Sequence, residues 1–141
     1  MSTGVEALDL VSWAGAQLLA DSAFNAACPG GAHVGQAPPM TPTPVCILFV
    51  QSAPEYLTVN GVHIWTDASL MVKMQGPPEQ SIAMRTAAMR AYAVLHRHTG
   101  AAQGANIIAS VLTAQFPVPE PVLVNGVLWT SFVQLYRVLV Q

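Results

Sequence analysis

Charge is the first thing this sequence lacks. Five of its 141 residues are Lys or Arg and seven are Asp or Glu, so 9% of the chain is charged, against about 25% in ordinary soluble domains. No Lys or Arg precedes Lys73, and the net charge is −2. That balance excludes the polybasic surface that neutralises nucleic-acid phosphates or anionic lipid. Neither sequence-specific nucleic-acid binding nor membrane binding is expected. The basic region that opens a signal peptide is also missing from the first residues. Cysteine is scarce, and Cys28 and Cys46 form neither a metal motif nor a disulfide framework. Reduced thiols in an intracellular protein are the simplest expectation. Long hydrophobic runs are absent as well. The longest, Val45 to Val50, covers six residues, far below the roughly 20 of a spanning helix.

What is present is apolar: 52% of the residues are hydrophobic, which excludes a disordered chain. The length suits one domain, residues 1–141, with a sizeable core. A monomer needs a charged, mixed surface to stay soluble, and twelve charges are few for that purpose. Other subunits are therefore expected to cover part of the exterior.

Residues 4 to 27 have the spacing of a long amphipathic helix, with Thr3 and Glu6 placed as a capping box. Drawn as one continuous wheel, Leu8, Val11, Gly15, Leu18, Leu19 and Ser22 share a face. Trp13 and Phe24 fall among the polar residues opposite. Such rings either lie sideways over their own helix or anchor a partner. Residues 29 to 44, rich in proline and glycine, read as a long extended loop. Val45 to Val50 reads as a strand covered on both faces. Asn60-Gly61 then marks a two-residue hairpin turn. Its second arm alternates, with Val62, Ile64, Ala68, Leu70, Val72 and Met74 on one side. His63, Trp65, Asp67, Ser69, Lys73 and Gln75 fall on the other. The hairpin register predicts Tyr56 opposite Trp65 and Leu57 opposite Ile64. A second helix is expected from Gly76 to about Thr99, with Met84, Ala87, Ala88, Ala91 and Leu95 as its apolar stripe. Asn106 to Phe116 reads as a strand, and Asn125-Gly126 as the turn of a last hairpin. The order predicts an α+β fold, a mostly antiparallel sheet with two main helices packed on one face.

Chemistry is hard to find. His96 and His98, two residues apart, cannot share one helix face as metal ligands, and suit the dipole at a helix C-terminus instead. His33 and His63 stand apart from any carboxylate or thiol at ligand spacing. Glu6, Asp9 and Asp21 read as a solvated helix face with no basic partner in reach. Asp67 and Lys73 share a strand face but lie too far apart to pair. No nucleophile elbow, phosphate loop or dinucleotide fingerprint occurs. Cys46, inside an apolar strand, is expected to be inert. No catalytic, cofactor-binding or metal-ligating residue is singled out.

The layout resembles the tail terminator (tail-completion) proteins of long-tailed bacteriophages. The likeness rests on a first helix, a Pro/Gly-rich loop, the Pro-Val-Cys-Ile-Leu-Phe-Val strand and a long amphipathic strand to Gln75. A helix opening at Glu79-Gln80-Ser81 and a final Leu-Tyr-Arg-Val-Leu-Val strand complete it. The resemblance implies a structural virion protein in the tail or neck, made in the host cytoplasm, without catalysis or cofactor. It implies a homo-oligomer, a six-membered ring that ends the tail tube and meets the head–tail connector, with the tail tube protein as a further partner. Trp13, Phe24, Tyr56, His63 and Trp65 are then the interface candidates. The turn tips Asn60-Gly61 and Asn125-Gly126, with the proline loop, are candidates for axial contacts. Another neck or tail component (a head-completion or tube protein) is the neighbouring alternative. Beyond it stand a small ligand- or peptide-binding module, and an enzyme using His33, His63 or His98.

Overall fold

The computed structural model describes residues 3–52, 55–57, 63–102, 105–118, 122–124 and 126–140. The expected first helix is two. Helix α1 spans Thr3–Leu19 and α2 spans Ser22–Ala27. Asp21 breaks them: its backbone is extended and its carboxylate accepts the Phe24 N–H at 3.2 Å, so it caps α2 as a new helix. The side chains of the proposed capping box lie outside those described. Inside the proline-rich loop, β1 (Ala32–Val34) pairs in parallel with β2 (Val45–Ser52), where the sequence suggested only irregular chain. Strand β3 (Glu55–Leu57) pairs antiparallel with β4 (His63–Gly76). After a single 3₁₀ turn, α3 runs from Ser81 to Leu95. Strands β5 (Gly100–Ala102), β6 (Ala105–Pro117), β7 (Val122–Val124) and β8 (Val127–Val140) complete the chain.

The strands form one sheet in the order β1-β2-β4-β8-β6-β5, with β3 beside β4 and β7 beside β8. Among the described strands only β1–β2 is parallel, and the other pairings are antiparallel. This is the α+β fold that the element order implied. The hydrophobic core lies between the helices and one face of the sheet. Leu10, Val11, Ala14 and Leu18 of α1 and Met84, Ala87, Ala88, Ala91 and Leu95 of α3 face Leu48, Leu70, Val72, Met74, Tyr136 and Val138. The small alanines of α3 let its backbone come close to the strands, and its buried stripe is the one read from the sequence. On β4 the alternation of Ala68, Leu70, Val72 and Met74 inward is likewise as read.

Two polar links tie the helices to each other and to the sheet. Arg90 of α3 makes a two-pronged contact with Asp21, both N–O distances 3.0 Å. The expectation of a solvated Asp21 is therefore corrected. Sequence distance concealed its partner, 69 residues on. The Arg90 hydrogen bond and charge outweigh partial desolvation and hold the Asp21 carboxyl below its ordinary value of 3.8. Because the folded-state value is depressed, this stabilisation is complete above the ordinary carboxylate range and disappears as pH falls through the folded value. Asp21→Asn keeps a competent cap and loses the ion pair. It is expected to melt below the parent at pH 6, and the gap in Tm should close toward pH 2.

The second link is at the end of α3. Leu95 is followed by His96 in extended geometry and by Arg97 at φ 59°, so the helix stops short of Gly100, where the sequence pattern had placed its end. His96 stacks on Tyr92 at 4.5 Å, and its Nδ1 accepts the Leu112 N–H of β6 at 3.0 Å. His96→Phe preserves the stacking and deletes the acceptor. It should cost about 1 kcal/mol and selectively speed hydrogen exchange at the Leu112 amide. Unchanged exchange there would refute the link.

Candidate functional site

The helices leave the other sheet face uncovered by any described helix. Residues of opposite parity on β2, β4, β8 and β6 line up across it in rows. One row is Phe49, Met71, Leu135 and Ala114; the next is Ile47, Lys73, Val133 and Phe116. Toward the far end stand Ser69, Arg137 and Val111. Most of these side chains are apolar. Ile47 and Val133 are already buried within the chain (6% and 3%), whereas Val111 and Phe116 nearer the β6 side are about two-fifths exposed (43% and 42%). The charges are few: Lys73, and Asp67 paired with Arg137. Arg137 clasps Asp67 diagonally across the β4–β8 ladder, Nη2 to Oδ2 at 2.7 Å and Nε to both oxygens at 3.0 Å. Periodicity placed Asp67 on this face, but only the register supplies its cation.

Other groups offer little chemistry. Burial pushes the Cys28 thiol up to about 11 and the Cys46 thiol well above the usual range, so neither presents a thiolate near neutrality. Cys28 Sγ donates to the Pro44 carbonyl at 3.3 Å. Among the described residues no three His, Cys, Asp or Glu side chains converge as a metal site. No helix among the described residues is long and apolar enough to cross a membrane.

A second surface runs along α3 and the near flank of β6. Ile82 and Met89 are exposed on α3 (78% and 72%). Two adjoining grooves of ≈ 340 Å³ each lie beside them, with Arg85 and Phe132 lining both.

With this geometry in view, the fold has a counterpart. A chain from the virion of a native gene transfer agent (GTA) particle superposes with a TM-score of 0.67, over 90% of each chain, at 11% identity. No protein-family model and no curated protein sequence matches this chain. At 11% identity the gene transfer agent chain shares the backbone arrangement; roles for individual side chains come from the structure described above.

The interface candidates fare unequally. Trp13 (4% exposed) and Phe24 (0%) belong to the core of their own chain, so the partner-anchor reading gives way to the intramolecular one. Trp13 lies at the margin of the buried stripe with its ring 5.7 Å from the His98 ring. Phe24 belongs to a separately started helix, so its place on a continuous wheel had no physical meaning. Tyr56 pairs opposite Trp65 as expected, but a bulge puts Leu57 opposite His63 rather than Ile64. The side chains of Tyr56, His63 and Trp65, and the residues Asn60, Gly61 and Asn125, lie outside the described set. Gly126 has φ 77° beside the Val124–Val127 pair, as a two-residue hairpin turn requires. Nothing in the residue pattern marked the grooves at Arg85, because Ile82 and Met89 look like ordinary residues of a helix's outer face.

Proposed function

We propose that this chain is a structural component of a phage-like virion, working as a single domain that builds a ring of identical copies. The likeness to the gene transfer agent virion chain, extending over 90% of both chains, carries this reading. The exposed apolar residues Val111 and Phe116 on the sheet face and the low charge support it, because both call for cover by neighbouring subunits. In its finer form the ring has six members, ends the tail tube and meets the head–tail connector, with the tail tube protein as the other axial neighbour. Its place is the tail or neck of the particle, after synthesis in the host cytoplasm. No catalytic step and no cofactor enters the role. Tyr56, His63 and Trp65 extend the subunit contact beyond the described face, and Asn60-Gly61, Asn125-Gly126 and the 29–44 loop make axial contacts. Trp13 and Phe24 have no direct part.

Native mass measurement tests the reading. The expected species has about six times the subunit mass, and it should sit at the head-proximal end of tails in electron micrographs of labelled particles. A chain that stays monomeric in concentrated solution and does not bind tail tubes would overturn it. Label along the tube or at the head vertex would transfer the protein to the tube or head-completion role.

A further inference from the structure

The two lateral rims of the sheet differ in what they present. At one, β1 runs parallel to β2, its one described neighbour, so the chain between them must return along the rim from Val34 to Val45. The Gly35 N–H on the Leu48 carbonyl marks the start of that return, and the Pro44 carbonyl, which accepts the Gly30 N–H, marks its end. Four of the seven residues from 38 to 44 are proline, so φ is fixed along much of the segment. The Thr41 hydroxyl donates to the Pro38 carbonyl and closes a turn with Met40 inside it. Met40 has φ 65°, in the left-handed region that a residue with a Cβ rarely adopts, and it is 95% exposed. No other large apolar side chain among the described residues is so exposed. A strained residue in a proline-stiffened turn thus holds an apolar thioether out in solvent.

The other rim presents a receptor for such a group. The two grooves of ≈ 340 Å³ lie between α3 and strands β8 and β6, with Phe132 in both and Ile82, Met84 and Pro117 in the first. A flexible thioether fills irregular apolar space and packs well against an aromatic ring. Proline-rich segments dock in apolar, aromatic-lined grooves at low entropic cost, because their backbone is fixed beforehand. The polar groups match as well. Proline supplies a carbonyl and no N–H, and the exposed Pro39 and Met40 carbonyls accept no hydrogen bond from any described group. Arg85, which lines both grooves, is a side chain of donors only. Arg90 and Arg137 have carboxylate partners, whereas Arg85 has none among the described residues. Residues 34 to 44 carry no charge that would repel it. Turn and groove are separated by β2, β4 and β8, at about 4.8 Å per step, so one copy does not join them within itself. A head-to-tail series of copies joins each to the next, which is the heterologous contact from which rings close.

We infer that the 38–42 turn of one copy docks in the α3–β6 groove of the next, with Met40 against Ile82 and Phe132 and with Arg85 donating to the turn's carbonyls. This rests on the ring reading and specifies its subunit contact, leaving the rest of the 29–44 loop to the axial neighbours. Two measurements on the full chain test it. Sedimentation velocity over a concentration series compares the parent with Met40→Lys, Arg85→Glu and the two combined, each checked for folding by circular dichroism. Met40→Lys sets a cation against Arg85, and Arg85→Glu removes the donor, so each should weaken self-association by about tenfold or more. The combined swap pairs the new charges and should recover most of that loss. The second measurement is mild oxidation of the double variant Met40→Cys, Ile82→Cys. It should link copies into a ladder that ends at the closed ring, while each single variant gives no ladder, because Cys28 and Cys46 are buried. If the parent assembles but the swap rescues nothing and no ladder forms, this contact is wrong and the ring reading stands. If Met40→Cys alone cross-links, two turns meet each other and the groove assignment falls. If Met40→Lys and Arg85→Glu both assemble normally yet fail to enter particles, a different virion protein occupies the groove and the second-copy assignment falls. If the parent itself never assembles, both readings fall.

Discussion

Tyr136→Ala is expected to remove about 4 kcal/mol of folding stability, a large share of the roughly 5–15 kcal/mol that holds a domain together. Tyr136 is fully buried at the centre of β8, opposite Leu70 of β4 and Leu112 of β6. Truncation there opens a cavity walled by two strands that cannot collapse without breaking their register. The hydroxyl adds a separable part. It donates to Gln134 Oε1 at 3.0 Å, while Gln134 Nε2 donates to the Ala88 carbonyl of α3 at 3.0 Å. Tyr136→Phe keeps the ring and leaves a buried amide oxygen without its donor, at an expected cost of about 1–3 kcal/mol. Burial raises the phenol well above its ordinary value, so the donor persists to alkaline pH. Urea denaturation of both variants separates cavity from hydrogen bond. A loss below about 1 kcal/mol for Tyr136→Ala would contradict the core described above.

Most of the fold was readable because most of it is local pattern. The period-two alternation of β4 and the Met84-Ala87-Ala88-Ala91-Leu95 stripe of α3 are each set by burial against one layer. The misreadings occurred where a single residue changes the local rule. Asp21 ends one helix phase and starts another. His96 and Arg97 leave helical geometry early, because their polar groups serve the β6 edge. Strand β1 has only three residues, and its pairing partner is remote enough that no local signal marks it. Bulges after Ile107 and Leu112 of β6 shift its facing pattern twice, which a strict period of two cannot anticipate.

The candidate site was less legible, for a related reason. A strand's periodicity says which side chains share a face, but partners across that face depend on topology. Asp67 and Arg137 are 70 residues apart in sequence and meet only because β4 and β8 are neighbours. Among the described residues, β6 from Thr113 to Pro117 pairs with β8 alone, which is likewise a property of strand order and of how far β5 reaches. Residue type did not announce it. Aromatic residues drew attention to Trp13 and Phe24, which stabilise the subunit internally, and away from Arg85, Ile82 and Met89, which look outward.

Gly30→Ala is the second large effect, and it concerns the rim opposite β6. Gly30 is buried where the chain leaves α2, with its N–H donating to the Pro44 carbonyl at 3.0 Å and its own carbonyl accepting from His33 Nε2 at 2.8 Å. A methyl group there would meet the Pro44 carbonyl oxygen and Val45 Cβ, each at 2.8 Å, and would press harder still on the Pro42 carbonyl. Two of these obstacles are backbone, so the strain cannot be relieved by a side-chain rotation. The 29–44 loop must move instead, at an expected cost of about 3 kcal/mol. The motion has its own signature. Cys28 Sγ bonds the same Pro44 carbonyl, and the Cys46 N–H bonds the Gly31 carbonyl at the start of the β1–β2 pairing. Displacing the loop should therefore expose the Cys28 thiol and lower its pKa from about 11, so that thiol reagents label it in the folded variant and spare it in the parent. A variant that loses stability without gaining thiol reactivity would show that the clash is absorbed elsewhere, and the loop would not be the element that holds this rim in place.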